Sequence, residues 1–175
     1  AAIHYYYLRQ LALLDLASPD ARILEAHLRG EILDLERIRG WERNPVWYRA
    51  RIAEGLHPLL AFRFESPERR LEHVTNRLRG VGTVLQQARE NLARPPRVFT
   101  ETAITEFEGL HRFVRLSMTQ EFAPILTPAL DAAVRDGSAG LVRERNRLRS
   151  WEEFRVARND ARRRIEEFVD WMRRD

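Results

Sequence analysis

The sequence has 175 residues, with 30 arginines, no lysine, 26 acidic side chains, a net charge of +4 and no cysteine. The missing cysteines exclude a thiolate nucleophile, a cysteine-ligated zinc ion and disulfide bonds. No run of about 18 apolar residues is present and no signal peptide is visible, so we expect no membrane span. A chain of this length is expected to form one domain that buries roughly two thirds of its unfolded surface.

The chain opens with a segment that is apolar on almost all sides, residues 3–16, which predicts a buried helix. Ser18-Pro19-Asp20 then combines a capping residue with a proline, a typical helix start. Gly40 is predicted to end that helix. Its apolar positions recur at helical spacing: Leu24, Leu28, Ile32, Leu35 and Ile38.

Two further helix starts of the same kind follow, at Asn44-Pro45 and at Ser66-Pro67. Gly55 and Pro58 are predicted to interrupt the helix that begins at Asn44-Pro45, because proline removes a backbone donor and clashes with the preceding turn. Residues 59–64 would then form a separate short turn or helix.

The centre of the chain is predicted to be a pair of antiparallel helices joined by a corner at Pro95-Pro96, where a helix cannot continue. Gly80-Val81-Gly82 is predicted to break or kink the first of them. The apolar residues before the corner have helical spacing, as do those after it. They are Leu78, Val81, Leu85, Ala88 and Leu92, followed by Ile104, Phe107, Leu110, Val114 and Met118.

Beyond this pair, Pro124 is predicted to end the second helix, and Thr127-Pro128 to begin a short helix that stops at Gly137. Ser138-Ala139-Gly140 is the most linker-like position in the chain. A long last helix follows, with one apolar stripe: Leu141, Leu148, Trp151, Ala161, Ile165, Phe168 and Met172.

No segment alternates apolar and polar residues with β-branched enrichment, so no strand is predicted. The sequence therefore predicts an all-α fold, an antiparallel multi-helix bundle with a central helix pair around Pro95-Pro96. Residues 1–175 are expected to form a single helical domain.

The titratable residues show no spacing typical of a catalytic or metal site. No two histidines lie within four residues of one another, so no helix presents the two-histidine face of a zinc peptidase. The glutamates Glu101, Glu106 and Glu108 lie near a helix start, where the helix dipole favours carboxylates. We assign no catalytic, cofactor-binding or metal residue. The histidines are His4, His27, His57, His73 and His111.

The arginines of the last helix suggest nucleic-acid binding at first sight. Arg143, Arg145, Arg147 and Arg149 are two residues apart, however, and therefore wrap around a helix instead of lining one face. A second group, Arg155, Arg158 and Arg162, does share a face but is interleaved with acidic residues, which is typical of a solvated helix. Nucleic-acid binding is thus only the third hypothesis.

Aromatic residues flank Asn44-Pro45, namely Trp41, Trp47 and Tyr48. They are consistent with a ligand pocket, but core packing at a helix start is the favoured interpretation.

Several segments together resemble the amino-terminal part of the bacterial domain-of-unknown-function family 885. The resemblance covers most of residues 30–175 and depends on the order and spacing of short motifs. They are Trp41-Glu-Arg-Asn44-Pro45-x-x-Tyr48, Arg70-Leu71, Arg77-Leu78, Leu85, Ala88, Asn91-Leu92, Pro95-Pro96, Glu101-Thr-Ala-Ile104 and Ala161-Arg-Arg-Arg-Ile-Glu-Glu-Phe168-Val-Asp-Trp171-Met.

The resemblance implies a longer, helical, zinc metallopeptidase-like protein whose His-Glu-x-x-His motif lies in its carboxy-terminal half. This chain has no such motif, so no zinc ligand or general base can be transferred to it. The resemblance therefore implies that the chain is an amino-terminal fragment without catalytic residues, forming a wall of a substrate cleft. Zinc and the main partner would belong to the carboxy-terminal half of the same protein.

Two other expectations follow from the apolar stripes. Apolar surface left exposed in the fragment favours self-association into a homo-oligomer. The alternative to the cleft-wall function is a free-standing helical module that binds a partner helix.

Overall fold

The computed structural model describes residues 1–13, 18–126 and 137–174, except the side chains of Leu126 and Ser138, and these residues are all-α, as predicted. No helix in these ranges is both long and apolar enough to cross a membrane. The helices are α1 (Ala2–Leu11), α2 (Pro19–Leu33), α3 (Gly40–Arg43), α4 (Val46–Ala61), α5 (Pro67–Asn91), α6 (Arg97–Arg115), α7 (Ser117–Phe122) and α8 (Gly137–Arg174). A π-helical turn covers Asp34–Ile38 and a 3₁₀ turn covers Ala123–Leu126.

Four helices, α4, α5, α6 and α8, enclose the hydrophobic core, and α7 closes one end of it. Helix α5 packs against α4 and α8, and α6 packs against the same two helices. The helices joined by Pro95-Pro96 therefore occupy opposite corners of the bundle and meet across its core. The largest fully buried side chains are Phe107, Phe122, Phe154, Phe168, Leu56, Leu71, Leu78 and Met118.

Ion pairs and hydrogen bonds between helices define the directions of the bundle. Arg79 pairs with Glu153, and the Arg89 guanidinium donates to the backbone carbonyl of Glu167, so α5 and α8 run in the same direction. Helix α6 runs opposite to both, because the chain reverses at Pro95-Pro96. The predicted corner is confirmed, since α5 ends at Asn91 and α6 begins at Arg97.

The three predicted helix starts are confirmed. Helix α2 begins at Pro19 with Ser18 as its N-cap. The Asn44 side chain accepts a hydrogen bond from the Val46 amide at 3.0 Å, and the Ser66 hydroxyl accepts one from the Arg69 amide at 3.3 Å. The Asn44 and Ser66 side chains thus each occupy an amide that the first helical turn leaves without a partner, whereas the Ser18 side chain makes no capping hydrogen bond.

Two predicted helix breaks are wrong. Gly80-Val81-Gly82 lies within an unbroken α5, because Val81 and Leu85 continue the buried stripe and outweigh the glycine penalty of about 1 kcal/mol. Helix α4 continues through Gly55 and Pro58 to Ala61. Pro58 lies in the last turn of α4, so the backbone donor that it removes is followed by only three more helical residues.

Two predicted helix ends are also displaced. The residue in the left-handed conformation is Arg39, with φ of 54°, whereas Gly40 begins α3. The second central helix ends at Arg115, before the predicted Pro124. The break at Leu116 starts α7, which places Met118 and Phe122 in the core.

Helices α1 and α2 form a hairpin outside the core, which we call the amino-terminal hairpin. The helix predicted over residues 3–16 is confirmed as far as Leu11, but its predicted burial is wrong, since Tyr6 is 58% exposed and Leu13 is 80% exposed. Residues 14–16 of that prediction lie outside the described residues. The hairpin buries Leu11 and Leu28, and neither belongs to the bundle core.

Helix α8 includes the backbone of Ser138-Ala139-Gly140, so the predicted linker at this position is wrong. The short helix predicted from Thr127 falls on residues 127–136, outside the described residues. The predicted stripe of α8 packs into the core from Trp151 onward, whereas Leu141 and Leu148 remain about half exposed, at 52% and 51%.

Candidate functional site

A polar cluster at one end of the bundle brings together residues that are far apart in sequence. The Tyr48 hydroxyl donates to the Trp41 carbonyl at 2.7 Å and accepts from the Asn91 amide group at 3.1 Å. Burial raises the pKa of Tyr48, so the hydroxyl stays protonated and can donate. We call Trp41, Tyr48 and Asn91 the corner cluster.

The corner cluster ties three parts of the chain together. The Trp41 indole donates to the Leu35 carbonyl at 3.3 Å, in the π-helical turn that ends the amino-terminal hairpin. The Ala93 amide donates to the Glu42 carbonyl at 2.9 Å, next to the Pro95-Pro96 corner. The cluster therefore orients the hairpin and the corner relative to α4, which is an architectural function.

The aromatic residues around Asn44-Pro45 pack in the way that the sequence favoured. The Trp47 and Tyr48 rings meet edge to face at 5.0 Å, and the Arg51 guanidinium lies over Trp47 at 4.8 Å. These contacts support the packing interpretation over the ligand pocket.

A buried arginine lies at the other end of the bundle. Arg70 is 3% exposed and donates to the carbonyls of Leu59 and Leu60, at 3.0 and 3.2 Å, and to the Glu121 carboxylate at 2.7 Å. It satisfies carbonyls at the end of α4 and links them to α7. A cleft of about 470 Å³ adjoins it, lined also by Arg63 and by residues of α8 and the 3₁₀ turn.

A groove runs between α6 and α8 on the outside of the bundle, with a cavity of about 240 Å³. His111 lines it, and the Nε of Arg162 donates to Nε2 of His111 at 3.4 Å. Burial lowers the pKa of His111, and the neighbouring positive charges of Arg162, Arg115 and Arg112 lower it further, against an opposing effect of Glu166. We call this feature the α6–α8 groove.

The residues considered from sequence are not gathered into a catalytic site. Over the described ranges, no group of three or more histidine, aspartate or glutamate side chains could hold a metal ion. His57 stacks on Phe113 and His73 pairs with Glu65.

The three glutamates near the start of α6 each pair with an arginine. Glu101 pairs with Arg97 on the same helix, Glu106 with Arg49, and Glu108 with Arg173. Their function is therefore explained by ion pairs at the bundle surface.

The arginines of α8 that are two residues apart diverge, as predicted. Arg147 pairs with Glu68 of α5, whereas Arg149 pairs with Glu153 on its own helix. Arg155, Arg158 and Arg162, which were predicted to share a solvated face, also have different partners. Arg155 pairs with Glu152 on α8, whereas Arg158 contacts Thr119 of α7 and Arg162 contacts His111 of α6.

Sequence reasoning missed the structural importance of Arg70. A signal was present, because Arg70 lies four residues before Val74 and eight before Leu78, on the buried stripe of α5. An arginine on an apolar stripe predicts a buried, paired guanidinium.

Comparison with known proteins identifies the family. The chain has no significant match among curated proteins or among solved structures. The family model described as bacterial protein of unknown function (DUF885) matches residues 3–175. Because this match spans almost the entire sequence, the chain belongs to the DUF885 family of bacterial proteins of unknown function.

Proposed function

We propose that this chain is a non-catalytic helical region of a zinc metallopeptidase-like protein, in which it forms one wall of a substrate cleft. Family membership supports the proposal. The observation that carries it is the apolar surface of the amino-terminal hairpin, which requires a further polypeptide to cover it.

The exposed apolar residues lie on outward faces of both hairpin helices. Tyr6 is five residues from the buried Leu11, and Ile23 and Leu33 are each five residues from the buried Leu28. Five residues correspond to about 140° around a helix, so these side chains point away from the contact between α1 and α2.

Two outward faces favour an enclosing partner over a flat one. A second copy of the chain, packed on one side, would leave the other side exposed. Another part of the same polypeptide can surround the hairpin, and we propose this as the partner. The bundle would then be held beside the catalytic half by the corner cluster.

The described residues do not provide a zinc site. The proposal therefore assigns zinc and the water-activating glutamate to another part of the polypeptide. Peptidase activity of the present chain by itself is not expected, and zinc-stimulated cleavage of a peptide library by the pure chain would overturn this assignment.

The first test is the reading frame beyond Asp175. A continuation of several hundred residues with a His-Glu-x-x-His motif supports the proposal. A stop codon close to Asp175 overturns it and favours the free-standing interaction module.

The second test uses the absence of cysteine from residues 1–175, so a thiol introduced in this region is the single one there and is read out by the mass of its labelled peptide. Tyr6→Cys reports on the hairpin, and Glu101→Cys on an exposed polar position is the matched control. We expect maleimide to label both thiols in the isolated chain, but only the control thiol in the natural full-length protein. Equal labelling of both thiols in the full-length protein contradicts the proposal. Concentration-dependent protection of Tyr6→Cys in the isolated chain identifies a second copy as the partner instead.

A further inference from the structure

Two half-buried arginines of α8, Arg158 and Arg162, lie beyond His111 at one end of the α6–α8 groove, outside the residues that line its cavity. Among the described residues, their hydrogen-bond partners are neutral. Arg158 donates to the Thr119 hydroxyl, and its Nη2 and Nε both donate to the side-chain oxygen of the exposed Asn159, at 3.1 and 3.4 Å, which an oxyanion would have to replace. Its guanidinium lies 5.8 Å from the Phe154 ring. Burial lowers the pKa of Arg158, and the nearby charge of Arg162 lowers it further. The guanidinium is therefore held in one place without a neutralising charge.

Arg162 has a neutral partner as well. An arginine cannot accept a hydrogen bond, so its contact with His111 requires a lone pair on Nε2 of the imidazole. His111 is then neutral, with its proton on Nδ1, in agreement with its lowered pKa. The pair carries a single positive charge.

Three other partly buried arginines have carboxylate partners, whereas a fourth, Arg89, donates to the backbone carbonyl of Glu167. Arg70 pairs with Glu121, Arg49 with Glu106 at 3.0 Å, and Arg147 with Glu68 at 3.2 Å. Within residues 1–13, 18–126 and 137–174, by contrast, no carboxylate lies within 4.0 Å of four arginines at the groove. They are Arg112, Arg115, Arg158 and Arg162.

Carboxylates line the rest of the groove. Glu108 and Asp170, near the end of α8, both pair with Arg173, and Glu166 lies close enough to His111 to oppose the lowering of its pKa. An anion is therefore expected beyond His111, at Arg158 and Arg162, and not among these carboxylates. A partly desolvated cation without a counter-charge is costly, and this cost decreases when an anion binds.

We propose that the arginine end of the α6–α8 groove is a binding site for a small oxyanion, contacted by Arg158 and Arg162. Both phosphate and carboxylate groups present paired oxygens that match the planar guanidinium fork. Arg112 and Arg115, which are exposed, add long-range attraction. This site is independent of the cleft-wall function.

The test measures binding of inorganic phosphate and of succinate to the chain at low chloride, by calorimetry and by the shift in melting temperature. The variant is Arg158→Gln/Arg162→Gln. The matched control is Arg155→Gln/Arg163→Gln, which removes the same charge from the same helix at exposed arginines that have carboxylate partners.

We expect saturable binding of at least one anion by the wild-type chain and by the control. The groove variant should bind at least about tenfold more weakly, since a charge-assisted contact contributes about 1.5 kcal/mol or more. A preference for phosphate or for succinate identifies the type of oxyanion. Absence of saturable binding, or equal weakening in both variants, overturns the proposal.

Stability provides a readout that separates a binding site from a merely structural one. Without added anion, the groove variant should melt no lower than the control, because it loses an uncompensated charge. If it melts much lower, Arg158→Lys/Arg162→Lys keeps the charge and removes only the planar fork. Unchanged anion affinity in that variant would also contradict the proposal.

Discussion

The amino-terminal hairpin and the four-helix bundle follow the same local rules but bury their apolar residues differently. Helices α2, α4 and α5 all begin at a serine-proline or asparagine-proline pair. In the bundle, the apolar stripe of each helix faces one shared core. In the hairpin, α1 carries apolar residues on several sides, and Leu11 and Leu28 are the buried residues of the two described helices.

This difference shows that apolar content and burial are separate properties. A stripe on one side of a helix can be covered by three neighbours of similar size. A helix that is apolar all round needs neighbours on every side. We therefore expect the bundle to determine the stability of the isolated chain, and the hairpin to contribute little.

The largest difference should come from truncating one aromatic residue in each region. Phe107 is fully buried and packs against Phe168 with ring centroids 5.0 Å apart, so Phe107→Ala should cost about 3–5 kcal/mol. Tyr6→Ala, at an exposed position, should change the free energy of unfolding by less than about 0.5 kcal/mol. Urea denaturation followed by circular dichroism measures both. Similar losses would show that the hairpin belongs to the same cooperative unit.

An intermediate effect is expected at the junction of the two regions. Tyr48→Phe removes the hydroxyl that bridges Trp41 and Asn91, leaving two partly buried polar groups without a partner. The free energy of unfolding should fall by about 1–2 kcal/mol, which is measured as a lower urea midpoint. Tyr5→Phe is the control, because its hydroxyl bonds Glu36 at an exposed position, and a change within about 0.5 kcal/mol is expected. If Tyr48→Phe is as neutral as the control, the corner cluster does not orient the hairpin.

Replacing a glycine by alanine in each region should give a smaller, stabilising effect. An added Cβ meets no atom within 4 Å at Gly80 in α5 or at Gly30 in α2. Gly80→Ala should raise the free energy of unfolding by about 0.5–1 kcal/mol. Gly30→Ala should increase helicity without shifting the main unfolding transition. Equal shifts of that transition would contradict the separation of the two regions.

The smallest effect concerns pH and the α6–α8 groove. The pKa of His111 is lower in the folded chain than its ordinary value of 6.5, because of burial and then Arg162, Arg115 and Arg112, against Glu166. The unfolded chain therefore binds the proton first as pH falls, and stability decreases below about pH 6.5 toward the folded pKa. His111→Gln keeps an acceptor for Arg162 and should show a smaller loss between pH 7.5 and 5.5. Urea midpoints at the two pH values test this, and an unchanged loss would assign the pH effect to other groups.

Helix positions were largely predictable because their signals are local. The starts at Ser18, Asn44 and Ser66 and the corner at Pro95-Pro96 depend on capping and on proline geometry, both of which act within one turn. The breaks predicted at Gly80-Val81-Gly82 and at Pro58 failed for the opposite reason. Core packing of Val81 and Leu85 outweighs the glycine penalty of about 1 kcal/mol, and Pro58 lies in the last turn of α4, where little helix follows it.

The sites depended on contacts that sequence spacing does not contain. Tyr48 and Asn91 were noted as separate parts of a motif, and only the fold joins them. His111 and Arg162 meet because α6 and α8 pack side by side. The spacing of the arginines on α8 does not predict which of them have carboxylate partners, because some of those partners lie on other helices.

The sequence by itself determined the all-α class, the helix starts, the corner and the residues of the main core stripes, because periodicity and capping are properties of short segments. Only the tertiary structure decided that α5 and α6 face each other across the core, that the hairpin stays outside it, and that two arginines share a groove without a counter-charge. Those outcomes depend on which helices meet, and this is set by the simultaneous burial of several stripes, which no single segment specifies.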